Sequence, residues 1–156
     1  MSRFLDDRST KYDFSDHFLV VCPQCKHKAT VVMKTRPNKD EFTAHYPRQL
    51  SCFNCGLTKS HNAKSVTTYH DRDWYFGLPL WLSVSCCGET LCANNEEHLN
   101  HLEAYISAKL REHAKNPDLG WHNQSWVNRL PNWMKSRKNR DEVLGCIKKL
   151  RAKLKN

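Results

Sequence analysis

The 156-residue chain is poor in glycine, and that scarcity is the first constraint on what it can do. Its five glycines stand at 56, 77, 88, 120 and 145, no two closer than eleven residues. Neither a dinucleotide-binding glycine fingerprint nor a phosphate-cradling glycine loop can be built at that spacing. Long apolar runs are missing as well. Gly77-Leu-Pro-Leu-Trp-Leu82 is among the longest, and a membrane helix needs about 20 such residues. The opening MSRFLDDRSTKYDFSD lacks the apolar core of a secretory signal, so a reducing, cytoplasmic setting is expected. Acidic residues are scarce in one place only. Residues 1–110 carry thirteen Lys+Arg against twelve Asp+Glu, whereas 111–156 carry twelve against four. Most of the formal charge of +9 therefore belongs to the last part of the chain.

Cysteine is not scarce: there are eight. In a chain expected to stay reduced, they point to metal before disulfides. The strongest pattern is Cys22-Pro-Gln-Cys25, then 26 residues, then Cys52-Phe-Asn-Cys55-Gly56. A CxxC at the tip of a β-turn offers two thiolates on one side of the chain, and two such tips complete the tetrahedral shell that zinc prefers. Gly56 supplies backbone that can turn amides toward sulfur. Lys26, Lys28 and Lys59 lie close enough in sequence to offset the negative charge of four thiolates. Two unrelated pairs of buried cysteines, or a dithiol redox site, are the competing readings, and two pairs in this register disfavour them. A shell closed by Cys22, Cys25, Cys52 and Cys55 has no vacant position, so the zinc is expected to hold the fold and do no chemistry.

Around these pairs the pattern is that of short strands. His17–Cys22, Ala29–Met33, Phe42–Tyr46, Gln49–Cys52 and Ser65–His70 are candidates, with Arg36–Glu41 as a turn. Trp74–Ser85 contains Gly77 and Pro79, which argue against an uninterrupted strand. From Asn94 the period changes to helical: Leu99, Leu102, Ile106 and Leu110 share a face, Asn94 is placed as the cap with Glu97 reaching back, and Asn116-Pro117 ends the element. Ser125–Leu130 and Pro131–Ser136 suggest short helical pieces. A last helix is capped by Asn139 with Glu142, and carries Val143, Ile147, Leu150 and Leu154 on its apolar side. The expected fold is α+β. It comprises a flexible leader (1–16), a zinc ribbon of short antiparallel strands (17–72), a β/loop connection (73–93) and amphipathic helices with a basic face (94–156).

The runs Tyr75-Phe-Gly-Leu-Pro-Leu-Trp-Leu82, Cys86-Cys87-Gly88-Glu-Thr-Leu, Asn95-Glu-Glu-His-Leu99, Leu130-Pro-Asn-Trp-Met-Lys-Ser136 and Lys138-Asn-Arg140 are similar to a family of uncharacterised bacterial proteins. That family is described as carrying a transcription-factor-IIB-type zinc ribbon. The resemblance covers most of the chain from about residue 17. It implies a zinc ribbon at Cys22, Cys25, Cys52 and Cys55 and supplies no activity, since ribbons of that shape serve many functions. A second zinc site from Cys87, Cys92, His98 and His101 is open on spacing alone, against packed thiols and half-buried helix histidines. The family often has an aromatic residue where this chain has Cys92 and His101, which argues against that site as a shared feature. Cys146, between Val143 and Ile147, reads as a small core residue.

Trp121, Trp126 and Trp133 alternate with cations between 121 and 140, as a base-stacking surface would require. Trp126, Leu130 and Trp133 at i, i+4, i+7 equally suit a core. The cations Lys135, Arg137, Lys138, Arg140, Lys148, Lys149 and Arg151 are the candidate nucleic-acid contacts, through phosphate neutralisation with little sequence choice. An acidic protein partner, held by the ribbon and the 76–82 apolar segment, is the alternative, and an anionic membrane surface would also suit the charge. No catalytic set is legible. His27 and His45, between the cysteine pairs, lack a nuclease-like context, and Asp71 and Asp73 flank Arg72 as a weak carboxylate pair. The protein is therefore expected not to be an enzyme.

Overall fold

A computed structural model describes residues 3–6, 14–35, 44–108, 110–113 and 130–155. The architecture is α+β, with antiparallel strands in the first part of the chain and helices after them. Strands β2 (His17–Val21), β3 (Lys28–Met33), β4 (Arg48–Ser51) and β5 (Thr58–His61) form one antiparallel sheet in sequential order. Strands β6 (Leu82–Cys86) and β7 (Glu89–Ala93) form a hairpin. β1 (Arg3–Asp6), within the stretch expected to be a leader, pairs in parallel with β8 (Leu110–His113). Helix α1 spans Glu96–Ser107, α2 Asn132–Lys135 and α3 Arg140–Lys153, with a 3-10 turn at Arg137–Asn139.

Two apolar clusters result. In β2 the alternation puts Phe18 and Val20 on one face, where they meet Val31, Leu50, Trp74, Tyr75 and Leu80. Around α1 and α3, Leu99, Leu102, Ile106, Val143, Ile147 and Leu150 pack with Phe14, Leu82 and Leu91. The segment 79–81 joins the two. The Val21 amide donates to the Pro79 carbonyl at 2.9 Å and the Trp81 amide to the Leu19 carbonyl at 2.9 Å.

Several local expectations are corrected. The α1 cap is Asn95, not Asn94: its side chain accepts the His98 amide and donates to the carbonyls of Phe14 (2.9 Å) and His17 (2.8 Å). That position serves the helix and docks the 14–17 strap at once. The helix stops at Ser107, and Leu110 belongs to β8, because pairing with β1 supplies backbone partners the helical period could not foresee. No strand forms at 65–70. β5 lies directly after the second cysteine pair, where register with β4 is set (Leu50 opposite Lys59). Asn139 makes no side-chain cap; its Nδ2 donates to the Trp133 carbonyl at 2.9 Å. The 36–41 turn, Asn116-Pro117, Trp121, Trp126 and the 125–129 part of the expected helical piece lie outside the described residues, as do Phe42 and Thr43. Trp133 is half-buried against the helical cluster.

Two buried charges are structural. Arg48, 0% exposed, donates from Nη1 to the carbonyls of Ser15 (2.7 Å) and Asp16 (2.9 Å) and lies 4.4 Å from the Tyr75 ring centre. Asp73, also 0% exposed, accepts the amides of Tyr75, Phe76 and Leu78 at 2.7–2.8 Å. This removes Asp73 from any catalytic carboxylate pair with Asp71, because both its oxygens are committed to folding the 73–78 loop.

Candidate metal centre

The two CxxC segments leave β2 and β4 as matching knuckles. In the first, the Cys22 amide donates to the His27 carbonyl (2.8 Å) and the Lys26 amide to the Cys22 carbonyl (3.0 Å). In the second, the Cys52 amide donates to Leu57 (2.9 Å) and the Gly56 amide to Cys52 (2.8 Å). Each knuckle closes on a residue of positive φ, Lys26 at 66° and Gly56 at 80°. Glycine adopts that conformation freely; lysine does so against a strain of about 1 kcal/mol.

β3 and β4 bring the knuckles face to face. Cys22 Sγ lies 3.6 Å from Cys55 Sγ, and Cys25 Sγ 3.5 Å from Cys52 Sγ. All four sulfurs fall within 4.8 Å of one another. A zinc–sulfur bond of about 2.3 Å implies a tetrahedral edge of about 3.8 Å, so four thiolates here fit a single ion with little movement. Cys22 and Cys52 are buried, Cys25 and Cys55 half-buried. Across the tips, Asn54 Nδ2 meets His27 Nδ1 at 3.1 Å and ties one knuckle to the other.

The sulfurs sit in a field of amides. Gln24 and Cys25 direct their N–H groups at Cys22 Sγ at 3.4 and 3.5 Å. Burial opposes ionisation of Cys22, but the Cys25 and Gln24 amides outweigh it and hold the thiol below its ordinary value. The His27 amide, against the opposing effect of burial and with help from Asn54, brings Cys25 down to about 5. At Cys55 the Leu57 amide pulls downward, yet burial and the three neighbouring sulfurs prevail and push it to about 12. Four sulfurs this close cannot all ionise without a cation between them. The donor set is complete and soft, which suits a structural ion of the zinc class. Of the nearby lysines, Lys28 extends its ammonium to the Leu154 carbonyl at 2.9 Å, joining the base of the first knuckle to the end of α3.

Cys87, Cys92, His98 and His101 are not brought together. Cys87 is at the β6–β7 turn, whereas α1 begins beyond the hairpin's opposite end. Cys92 donates to Ser83 Oγ at 3.4 Å. His98 stacks on Phe14 at 5.0 Å and accepts the Asn94 amide through Nδ1 at 3.0 Å, while His101 meets the same ring edge-on. A different convergence, which the sequence reading missed, joins Cys86, Cys87 and Glu142. Nothing local signals it, since Glu142 is 55 residues from Cys87. Cys146 is buried in the helical cluster, as expected of a core thiol.

The candidate basic residues divide by environment. Arg137, Lys138, Lys148 and Lys149 are exposed; Lys135 and Arg140 are half-buried. Arg151 turns back onto α1, donating to Asn100 Oδ1 (2.8 Å) and pairing with Glu103 at 3.1 Å. Its charge is therefore partly spent within the fold. Among the described residues no helix is long and apolar enough to cross a membrane. No family model, curated protein or solved structure matches the chain.

Proposed function

We propose that the protein is a zinc-ribbon accessory factor that binds nucleic acid through its basic C-terminal region, with zinc at Cys22, Cys25, Cys52 and Cys55 purely structural. The observation that carries this reading is the exposure of Arg137, Lys138, Lys148 and Lys149 on and just before α3. Glu103 is paired with Arg151, so the acids left beside these four cations are Asp141 and Glu142 in the first turn of α3. Contacts of this kind read phosphate, not sequence.

The test is binding to double- and single-stranded DNA and RNA titrated against salt. Four phosphate contacts on duplex DNA give a log–log slope of about −3.6 and about a 150-fold loss of affinity between 50 and 200 mM salt. Replacing Arg137, Lys138, Lys148 and Lys149 by glutamine should flatten the slope; Arg151→Gln should change it little. No detectable binding at low salt, or an unchanged slope in the fourfold variant, overturns the reading.

One observation favours the adaptor alternative. Phe53, at the tip of the second knuckle, is 94% exposed, whereas Leu80 and Leu82 of the 76–82 segment are buried. A protein partner would therefore be held at Phe53 and not by that segment. Capture of a protein that survives nuclease and high salt, and is lost on Phe53→Ala, would favour it.

A further inference from the structure

The β6–β7 hairpin turns on two residues, Cys87 and Gly88, both with positive φ (54° and 76°). Such a turn ordinarily takes asparagine, aspartate or glycine at its first position. A cysteine there accepts backbone strain of about 1 kcal/mol; such strain clusters at functional sites, although Lys26 and Ala63 share the conformation here. The Cys87 thiol stands 3.9 Å from that of Cys86. From the first turn of α3, Glu142 reaches over the hairpin, and its Oε2 accepts the Cys87 amide at 2.7 Å. One ligand atom from each of Cys86, Cys87 and Glu142 lies within 4.8 Å of the others.

The surroundings keep this cluster open. A cleft of about 560 Å³ lies over it, walled by Gly145, Cys146 and Lys149 as well as the three donors. Gly145 is in the interior of α3, where glycine costs about 1 kcal/mol relative to alanine. No neighbour explains it: a Cβ built there meets nothing within 4 Å.

We propose that Cys86, Cys87 and Glu142 form a second cation site, for a thiophilic divalent ion of the zinc class. Two thiolates and one carboxylate are ligands such an ion takes readily, and three protein donors leave a fourth position toward the cleft. The Cys87 amide fixes one carboxylate oxygen and so orients the other, as outer hydrogen bonds do at metal sites. Two thiolates and a carboxylate exceed a divalent charge by one, and Lys149 is the cation among the residues lining the cleft. The site differs from the four-cysteine centre in being open and in drawing its donors from a hairpin and a distant helix. It does not depend on nucleic-acid binding.

The experiment is zinc equilibrium dialysis of the full chain, reduced and first stripped of metal, with zinc quantified per chain. Cys87→Ser and Glu142→Gln are measured beside the parent, and their thermal melts report folding. Glu142 is exposed, so Glu142→Gln guards against a variant that loses zinc by unfolding. The expected result is two zinc ions per chain in the parent and one in each variant. One zinc in the parent, or a second ion that survives either substitution, overturns the site.

Discussion

If the four-cysteine centre holds zinc, folding stability should follow free zinc concentration with a slope set by stoichiometry alone. An ion that binds only the native state adds RT ln(1 + [Zn]/Kd). At saturation this is about 1.4 kcal/mol for each tenfold rise in free zinc, or about 2.7 kcal/mol over two decades. The sulfur pairs at 3.5 and 3.6 Å are already near the tetrahedral edge, so little reorganisation is subtracted. Structural zinc contributes about 10–16 kcal/mol in small zinc modules, comparable to the whole stability of a domain, about 5–15 kcal/mol. Removal of the ion should therefore unfold β2–β5 outright. The assay is urea unfolding in zinc buffers spanning several decades of free ion, followed by circular dichroism. A midpoint that does not move with free zinc, or that moves equally in Cys52→Ser, refutes a metal-held ribbon. Where the Cys86–Cys87–Glu142 site also fills, the slope should double and return to the single value in Glu142→Gln.

Burial, reinforced by His101, pushes His98 down to about 4, and its Nδ1 is already engaged as an acceptor. Since the folded value lies below the unfolded one, near 6.5, this stabilisation is complete above pH 6.5 and is lost as pH falls toward 4. The loss is at most about 3 kcal/mol. With excess zinc present, His98→Gln should flatten that limb of the stability profile relative to the parent; an identical acid limb would refute the assignment. Asp73→Ala orphans the buried Tyr75 amide at about 1–3 kcal/mol, and the part-buried Phe76 and Leu78 amides at less because water can reach them. A loss of about 2–4 kcal/mol in urea unfolding is expected, and a loss below about 1 kcal/mol would show that the loop does not need the carboxylate. Lys26→Gly, which relieves the positive φ of the first knuckle, should raise the thermal midpoint by the equivalent of up to about 1 kcal/mol, whereas Gly56→Ala should lower it.

The cysteine knuckles were legible because their spacing is itself the chemistry: two donors per turn, twice, with a spacer long enough for two strands. The apolar face of α1 was legible for the same reason, since Leu99, Leu102 and Ile106 keep the helical period and are buried. What escaped depends on partners far along the chain. Leu110 keeps the period too, but its strand is decided by Arg3. β5 is a polar edge strand, exposed at Thr58, Lys59 and Ser60, so it carries no alternation to find. Arg48 and Asp73 look like surface charges in a sequence, and only the carbonyls and amides gathered around them make burial tolerable. Glu142 stands where a cap partner for Asn139 would, yet its carboxylate is taken by the Cys87 amide.

The metal centre and the basic region are not independent modules. Strand β2 has one face in each cluster: Phe18 and Val20 pack with the ribbon, and Leu19 packs against the helical core. The adjoining 79–81 segment pairs with β2, and Trp81 then donates through Nε1 to the Lys153 carbonyl at 3.0 Å, while the Lys153 ammonium reaches the Ser83 carbonyl at 3.2 Å. Lys28, leaving the first knuckle, holds the Leu154 carbonyl. The end of α3 is thus fastened to the ribbon directly by Lys28 of β3 and indirectly by Trp81, whose position follows from β2, while the Lys153–Ser83 bond holds it to the β6–β7 hairpin. Zinc at the four cysteines would order those strands and, through them, fix where α3 presents Lys148 and Lys149. A structural ion far from any ligand would in this way set the geometry of the proposed binding surface.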